Sequence, residues 1–354
     1  MTDGDAVVTT IYSFIPKPLF NFLNYPIIGK LINYTKIIVG ISLSIATLGL
    51  VALYKCQNWL VYPSGLNEGR TFYDTPDSYG MKYQSVKITT SDGEVLDCFA
   101  LKHNPYDKDY TNKTVLLLGP NAGNISHYLP IVEFFHKYYR YNVFVYSYRG
   151  YGKSTGSPSE TGLKNDARAV LEYLANDKQY YKSSIILYGR SLGGAVAIYI
   201  TSLTSKYWNN QQEEPMDDCG LRSRKNAQVR PDTPKFYPRI SCVILENTFL
   251  CLEKVIPYIF PVLKNFSKLC TQKWRSEKEI LNSDPKIPFL FLSGLKDEIV
   301  PPYHMQQLYE LSPSDNKFLK TFKKGYHNNT CNQADYWQIL HSFIQKNVDP
   351  KELD

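Results

Sequence analysis

No CxxC pair and no regular cysteine spacing occur in this 354-residue chain, whose seven cysteines (56, 98, 219, 242, 251, 270 and 331) stand apart from one another. That pattern offers neither a zinc site nor a disulfide framework. Cys242, ahead of Val-Ile-Leu, reads instead as a buried thiol. There is also no block of five or six like charges, and a formal net charge of +7 is modest for this length. A nucleic-acid-binding role is therefore not expected. The G-x-x-x-x-G-K-[ST] spacing of a phosphate loop is missing, because Gly150-Tyr151-Gly152-Lys153-Ser154 reproduces only its end. No internal repeat is visible. What remains is an ordinary apolar share of 43%, enough for one large α/β domain with a buried core.

Ile37 to Leu53 carries no charge over seventeen residues. A helix of that length is just sufficient for a hydrocarbon core of ~30 Å. Tyr34, Lys36, Tyr54, Lys55, Trp59 and Tyr62 supply the aromatic and basic edging of two membrane interfaces. The run begins too late and ends in the wrong residues for a cleaved signal peptide. We therefore expect a retained span over 37–54, with 1–36 as an amino-terminal segment whose Phe20–Ile32 stretch lies along the interface. Lys17, Lys30 and Lys36 precede the run, against Lys55 and Arg70 after it, which leans toward a cytoplasmic amino terminus. The expected setting is a single-pass protein of the endoplasmic reticulum or another endomembrane.

Beyond a loop rich in Gly, Pro and Asp, short β-rich runs alternate with helical patterns. Tyr83–Thr90 and Val95–Leu101 flank a Ser91-Asp92-Gly93 turn and read as a hairpin. Strands are expected at 114–118, 143–148, 185–188, 242–245, 288–292 and 318–322, with helices at 163–175 and 336–344. Hairpin strands followed by strand–helix repeats imply a mostly parallel, doubly covered sheet over 58–347. Residues 205–239 are polar and interrupted by prolines, and read as a mobile insertion. Residues 250–280, helical and rich in Phe, Ile and Leu, read as a short lid or as packing against the sheet.

Gly189-Arg190-Ser191-Leu192-Gly193 matches G-x-S-x-G between an apolar strand and a helix. A serine at such an elbow is exposed at the carboxyl edge of the sheet, and its glycines let strand and helix approach closely. A hydroxyl needs a base to take its proton and a carboxylate to orient that base. In this architecture they follow the serine in the order acid, then histidine. Asp297 and His327 each stand on a loop just after a strand, at the same edge as Ser191. Glu298 reads as solvated and Asp284 as belonging to the opposite edge. His103, His136, His304 and His341 sit where helix or surface roles suffice, and His127 is the rival for a place near the site. The oxyanion donors are expected to be the N–H of Leu192 and the N–H of Asn121, since Pro120 has none. Arg149 reads either as an arginine that pins loops or as one that meets an anionic substrate group. No metal and no organic cofactor is required.

GRSLGGAVAI, YRGYGKS, LENTF, SGLKDEIVPP, QLYELSPS and HNNT, in this order, resemble the alpha/beta-hydrolase domain-containing protein 13 family over roughly residues 58–347. That resemblance implies an α/β-hydrolase fold, a membrane-anchored serine hydrolase, and Ser191, Asp297 and His327 as its triad. The wider kin include protein depalmitoylases and lipid esterases, so a lipid ester or an acylated protein is the implied substrate. One departure stands out: the family's His-Gly-Asn-Ala-Gly-Asn appears here as Gly119-Pro120-Asn121-Ala122-Gly123-Asn124. Two other readings keep the fold, namely a catalytically silent scaffold and an acyltransferase using the same triad.

Overall fold

The computed structural model describes residues 26–212 and 237–348. Residues 1–25, most of the expected insertion (213–236, with Cys219) and 349–354 lie outside the described residues. The chain divides into two compact units, Met1–Cys56 and Gln57–Asp354.

The first unit contains most of helix α1, Pro26–Val61. It is longer than the predicted span, because nothing between Pro26 and Pro63 breaks a helix. Its window of highest hydropathy reaches 2.3 and is 0% buried, so the stretch is long and apolar enough to cross a membrane.

In the second unit, β1 (Gln84–Thr89) and β2 (Val95–Leu101) form the predicted antiparallel hairpin. They open an eight-stranded sheet of order β1-β2-β4-β3-β5-β6-β7-β8. The remaining strands are β3 (Lys113–Leu118), β4 (Asn142–Tyr146), β5 (Ser184–Arg190), β6 (Ile240–Glu246), β7 (Phe289–Gly294) and β8 (Lys317–Phe322). From β4 to β8 all neighbours are parallel. β4 ends two residues earlier than predicted. The N–H of Arg149 donates to the buried Asp166 carboxylate at 3.0 Å and draws the chain away from the sheet.

Alternation along the strands divides the core between two faces. Ile185 and Leu187 of β5 join Val243, Phe289 and helices α2 (Glu160–Asn176), α3 (Leu192–Gln212) and α5 (Tyr303–Leu311) on one face. Ile186 and Tyr188 join Ile244, Leu290, Phe135 and helix α6 (Tyr336–Asn347) on the other. This is the α/β-hydrolase fold. Helix α3 runs through Gln212, so the first residues of the expected insertion are helical. Segment 250–280 comprises α4 (Leu252–Ile259), a 3-10 stretch (Pro261–Leu269) and a short helix (Ser276–Glu279).

Candidate active site

β5 passes directly into α3 through Ser191. Ser191 adopts φ 53°, a left-handed conformation that costs a non-glycine residue ~1–3 kcal/mol unless its surroundings impose it. They do so here. Its N–H donates to the Glu246 carbonyl at 2.9 Å, and its own carbonyl accepts from the Gly194 N–H at 3.0 Å and the Thr248 hydroxyl at 2.7 Å. Gly193 explains the motif's small residues. A Cβ there would lie 1.9 Å from the Leu118 carbonyl oxygen, and backbone cannot yield to it.

The loops after β7 and β8 bring the predicted partners to this turn. His327 Nε2 lies 3.0 Å from Ser191 Oγ, and His327 Nδ1 lies 2.8 Å from Asp297 Oδ2. All three residues are buried. Asp297 is itself fixed, since its Oδ1 accepts from the N–H groups of Ile299 at 2.9 Å and Val300 at 2.7 Å. With the Nδ1 proton facing the carboxylate, Nε2 is left as an acceptor toward the serine hydroxyl.

Two supporting residues were not singled out in the sequence, and a third was read only as solvated. Asn247, at φ 47° just after β6, donates to the carbonyls of Tyr326 (3.3 Å) and His327 (3.2 Å) and accepts from the Gly294 N–H at 2.9 Å. It ties together the loops carrying Asp297 and His327, and its position inside LENTF was the available signal. Arg190, the variable residue before the serine, donates to the His327 carbonyl at 3.1 Å and to Asn328 at 2.7 Å. Its guanidinium also faces the fully buried Glu246, whose Oε2 accepts from Tyr188 and Tyr336. Glu298, exposed as expected, additionally accepts from the His327 N–H at 3.1 Å.

Leu192 opens α3, where the first N–H groups have no intrahelical acceptor. Around Asn121 the carbonyls are held by tyrosine hydroxyls. Tyr148 donates to Gly119 at 2.9 Å, Tyr151 to Asn121 at 2.8 Å, and Tyr128 to Ala122 at 2.7 Å and Pro120 at 3.3 Å. In a trans peptide the Asn121 N–H points opposite to the Pro120 carbonyl, away from Tyr128. Burial raises the pKa of all three tyrosines and keeps them protonated as donors. Tyr128 also occupies the space beside Gly119, where a Cβ would come within 2.2 Å of its ring.

His127, the rival base, is structural. Its Nδ1 accepts from the Asn124 N–H at 3.0 Å in a capping box, and its ring packs on Phe72. Of the histidines expected in helix or surface roles, His136 and His304 lie in helices and, like His103, are buried, with His103 and His136 stacked at 4.0 Å. Arg149 pins loops: its guanidinium meets Asp92 at 2.7 Å and Asp166 at 2.8 Å. That pairing holds Asp92 well below the usual carboxylate range, whereas burial lifts Asp166 to about 6. No group of three or more His, Cys, Asp or Glu able to hold a metal occurs among the described residues.

No family model matches the chain. Among known proteins it is 43% identical over 310 residues to the uncharacterized membrane protein YNL320W of Saccharomyces cerevisiae, covering 88% of this chain and 96% of the relative. It is 39% identical to Protein bem46 of Schizosaccharomyces pombe, over 86% of this chain and 91% of that one. With the alpha/beta hydrolase domain-containing protein WAV2 of Arabidopsis thaliana it shares 32%, over 88% and 94% of the two chains. Among solved structures, an alpha-beta hydrolase from Vibrio vulnificus superposes with a TM-score of 0.61 at 18% identity, covering 82% of this chain and 93% of that one. An esterase from Pyrococcus furiosus gives 0.57 at 22%, over 79% and 96%.

Proposed function

Because the chain belongs to the alpha/beta-hydrolase domain-containing protein 13 family, we propose that it is a membrane-anchored serine hydrolase acting on an ester or thioester of a lipid or an acylated protein. The observation that carries this reading is the chain of contacts from Asp297 through His327 to Ser191, at 2.8 and 3.0 Å. Ser191 Oγ attacks the acyl carbonyl while His327 Nε2 takes its proton. Asp297 keeps the imidazole in the required tautomer and stabilises the imidazolium that forms. The N–H groups of Leu192 and Asn121 receive the developing oxyanion. His327 then protonates the leaving alcohol or thiol, and the same base activates a water that releases the acid from Ser191. The Gly119-Pro120 departure is compatible with this reading, since three tyrosine hydroxyls hold the carbonyls around Asn121.

Helix α1 supplies the anchor, and the lysines before it favour a cytoplasmic amino terminus in the endoplasmic reticulum or another endomembrane. A fluorophosphonate probe tests the chemistry directly. It should label the wild type and leave Ser191→Ala unlabelled, with hydrolysis of acyl esters reduced by several orders of magnitude in that variant. Equal labelling of the two proteins would overturn the assignment. Free acid, rather than a new ester, as the product in the presence of alcohols separates a hydrolase from an acyltransferase.

A further inference from the structure

α4 and the 3-10 stretch after it form a cap that rises from the end of β6, the edge of the sheet that carries Ser191. Leu250, two residues before α4, is tied down by donating its N–H to His304 Nδ1 at 3.2 Å. Beyond that tie the cap turns its apolar residues outward. Six of the twelve residues 258–269 are exposed large hydrophobics: Tyr258, Ile259, Phe260, Val262, Phe266 and Leu269, with Val262 89% exposed. A water-facing surface scatters such residues singly, whereas a contiguous group marks a contact.

The charges around the group have one sign. From Lys254 to Arg275 there are five basic residues and no carboxylate. Lys254 pairs with Glu277, while Lys273 and Arg275 pair with Glu253. Lys264 and Lys268, within the apolar group, have no carboxylate partner among the described residues. An apolar strip interleaved with unpaired lysines is the composition of a segment that lies in an anionic lipid interface.

Chain connectivity leads to the same occupant. Immediately after the cap, the Thr271 N–H donates to Gln57 Oε1 at 2.6 Å, and nearby Trp59 is 70% exposed. Gln57 follows the uncharged run ending at Leu53 by only four residues along the chain.

From these observations we propose that Tyr258–Leu269 is a second membrane contact, seated in the headgroup region of an anionic bilayer. The inference rests on the reading of α1 as a membrane span. The cap thereby brings the edge of the sheet bearing Ser191 to the lipid surface from which an acyl chain would be drawn.

The test uses the full chain in phosphatidylcholine vesicles, with or without phosphatidylserine, that contain lipid spin-labelled near the headgroup. Cys56 and Cys219 are replaced by serine, because the other cysteines are buried. An environment-sensitive fluorophore is then placed in turn at Val262→Cys, at Leu48→Cys within the span, and at Tyr106→Cys. Tyr106 lies on the loop after β2, at the opposite edge of the sheet, and is 94% exposed. The expected result is quenching at position 262 several-fold above that at position 106. It should deepen with phosphatidylserine and lose that deepening in Lys264→Glu/Lys268→Glu. Quenching at 262 no greater than at 106 overturns the proposal, and would leave the surface to a protein partner. Position 48 reports on the anchor separately, and fluorophosphonate labelling of each variant reports on the hydrolase reading.

Discussion

His327 Nε2 meets Ser191 Oγ at 3.0 Å although 136 residues separate them in the chain. The contact exists because β5 and β8 are parallel strands of one sheet, so the loops that follow them emerge at the same edge. Nothing local to either residue produces it.

If that contact is the base–nucleophile pair, His327→Ala should cripple turnover while His127→Ala should not. The second change removes one partner of a capping box, for a stability cost of ~1 kcal/mol. Steady-state kinetics of the two variants decide the matter. A tolerated His327→Ala beside an inactive His127→Ala would reverse the assignment.

Asp297→Asn preserves the shape of the loop but removes the charge that stabilises the imidazolium. We expect a fall in kcat of roughly 10⁴, with KM changed little, since the interaction strengthens only as charge develops on the ring. A change confined to KM would show that Asp297 acts on binding instead.

Arg190→Met should do two separable things. It leaves Glu246, fully buried, without the cation that faces it, which should destabilise the fold by about 3 kcal/mol in denaturant titration. It also frees the His327 carbonyl and Asn328, so kcat should drop in the protein that remains folded. Full stability in this variant would show that the hydroxyls of Tyr188 and Tyr336 satisfy the carboxylate alone.

Stability should decline as pH falls from about 6.5 toward 4. Burial, reinforced by His103, lowers His136 to about 4, and burial followed by Lys254 lowers His304 to about 4. In the unfolded chain both take up protons near 6.5. Their stabilising effect is therefore complete above that value and is lost as the pH approaches the folded-state pKa. Asp166 works the other way, because its raised pKa favours the protonated folded state below about 6. Two histidines outweigh one carboxyl. A denaturation midpoint that stays flat from pH 6.5 to 4.5 would contradict this balance.

Carbonate washing of membranes should leave the full chain in the pellet. Release into the supernatant would reassign α1 to a role other than a span.

The elements legible in the sequence were those governed by period and by position on a strand. Ser191, Asp297 and His327 each follow an apolar run, and strand order alone places them together. Asn247 was hidden, because its importance lies in a left-handed φ and in carbonyls 79 and 80 residues away, which no local pattern announces. Arg190 was hidden for a different reason. It fills the variable slot of the motif, and its partner Glu246 becomes visible only once β6 lies beside β5. The end of β4 was misplaced because apolar character continues through Tyr148, while the departure from the sheet is set by Asp166.

Gly119 and Tyr128 have a consequence for how this site can change. The tyrosine ring stands where any side chain at position 119 would begin, so Gly119→His forces that ring to move. A displaced ring gives up the hydrogen bond by which its hydroxyl holds the Ala122 carbonyl. A change at either position is therefore felt in the loop that carries Asn121.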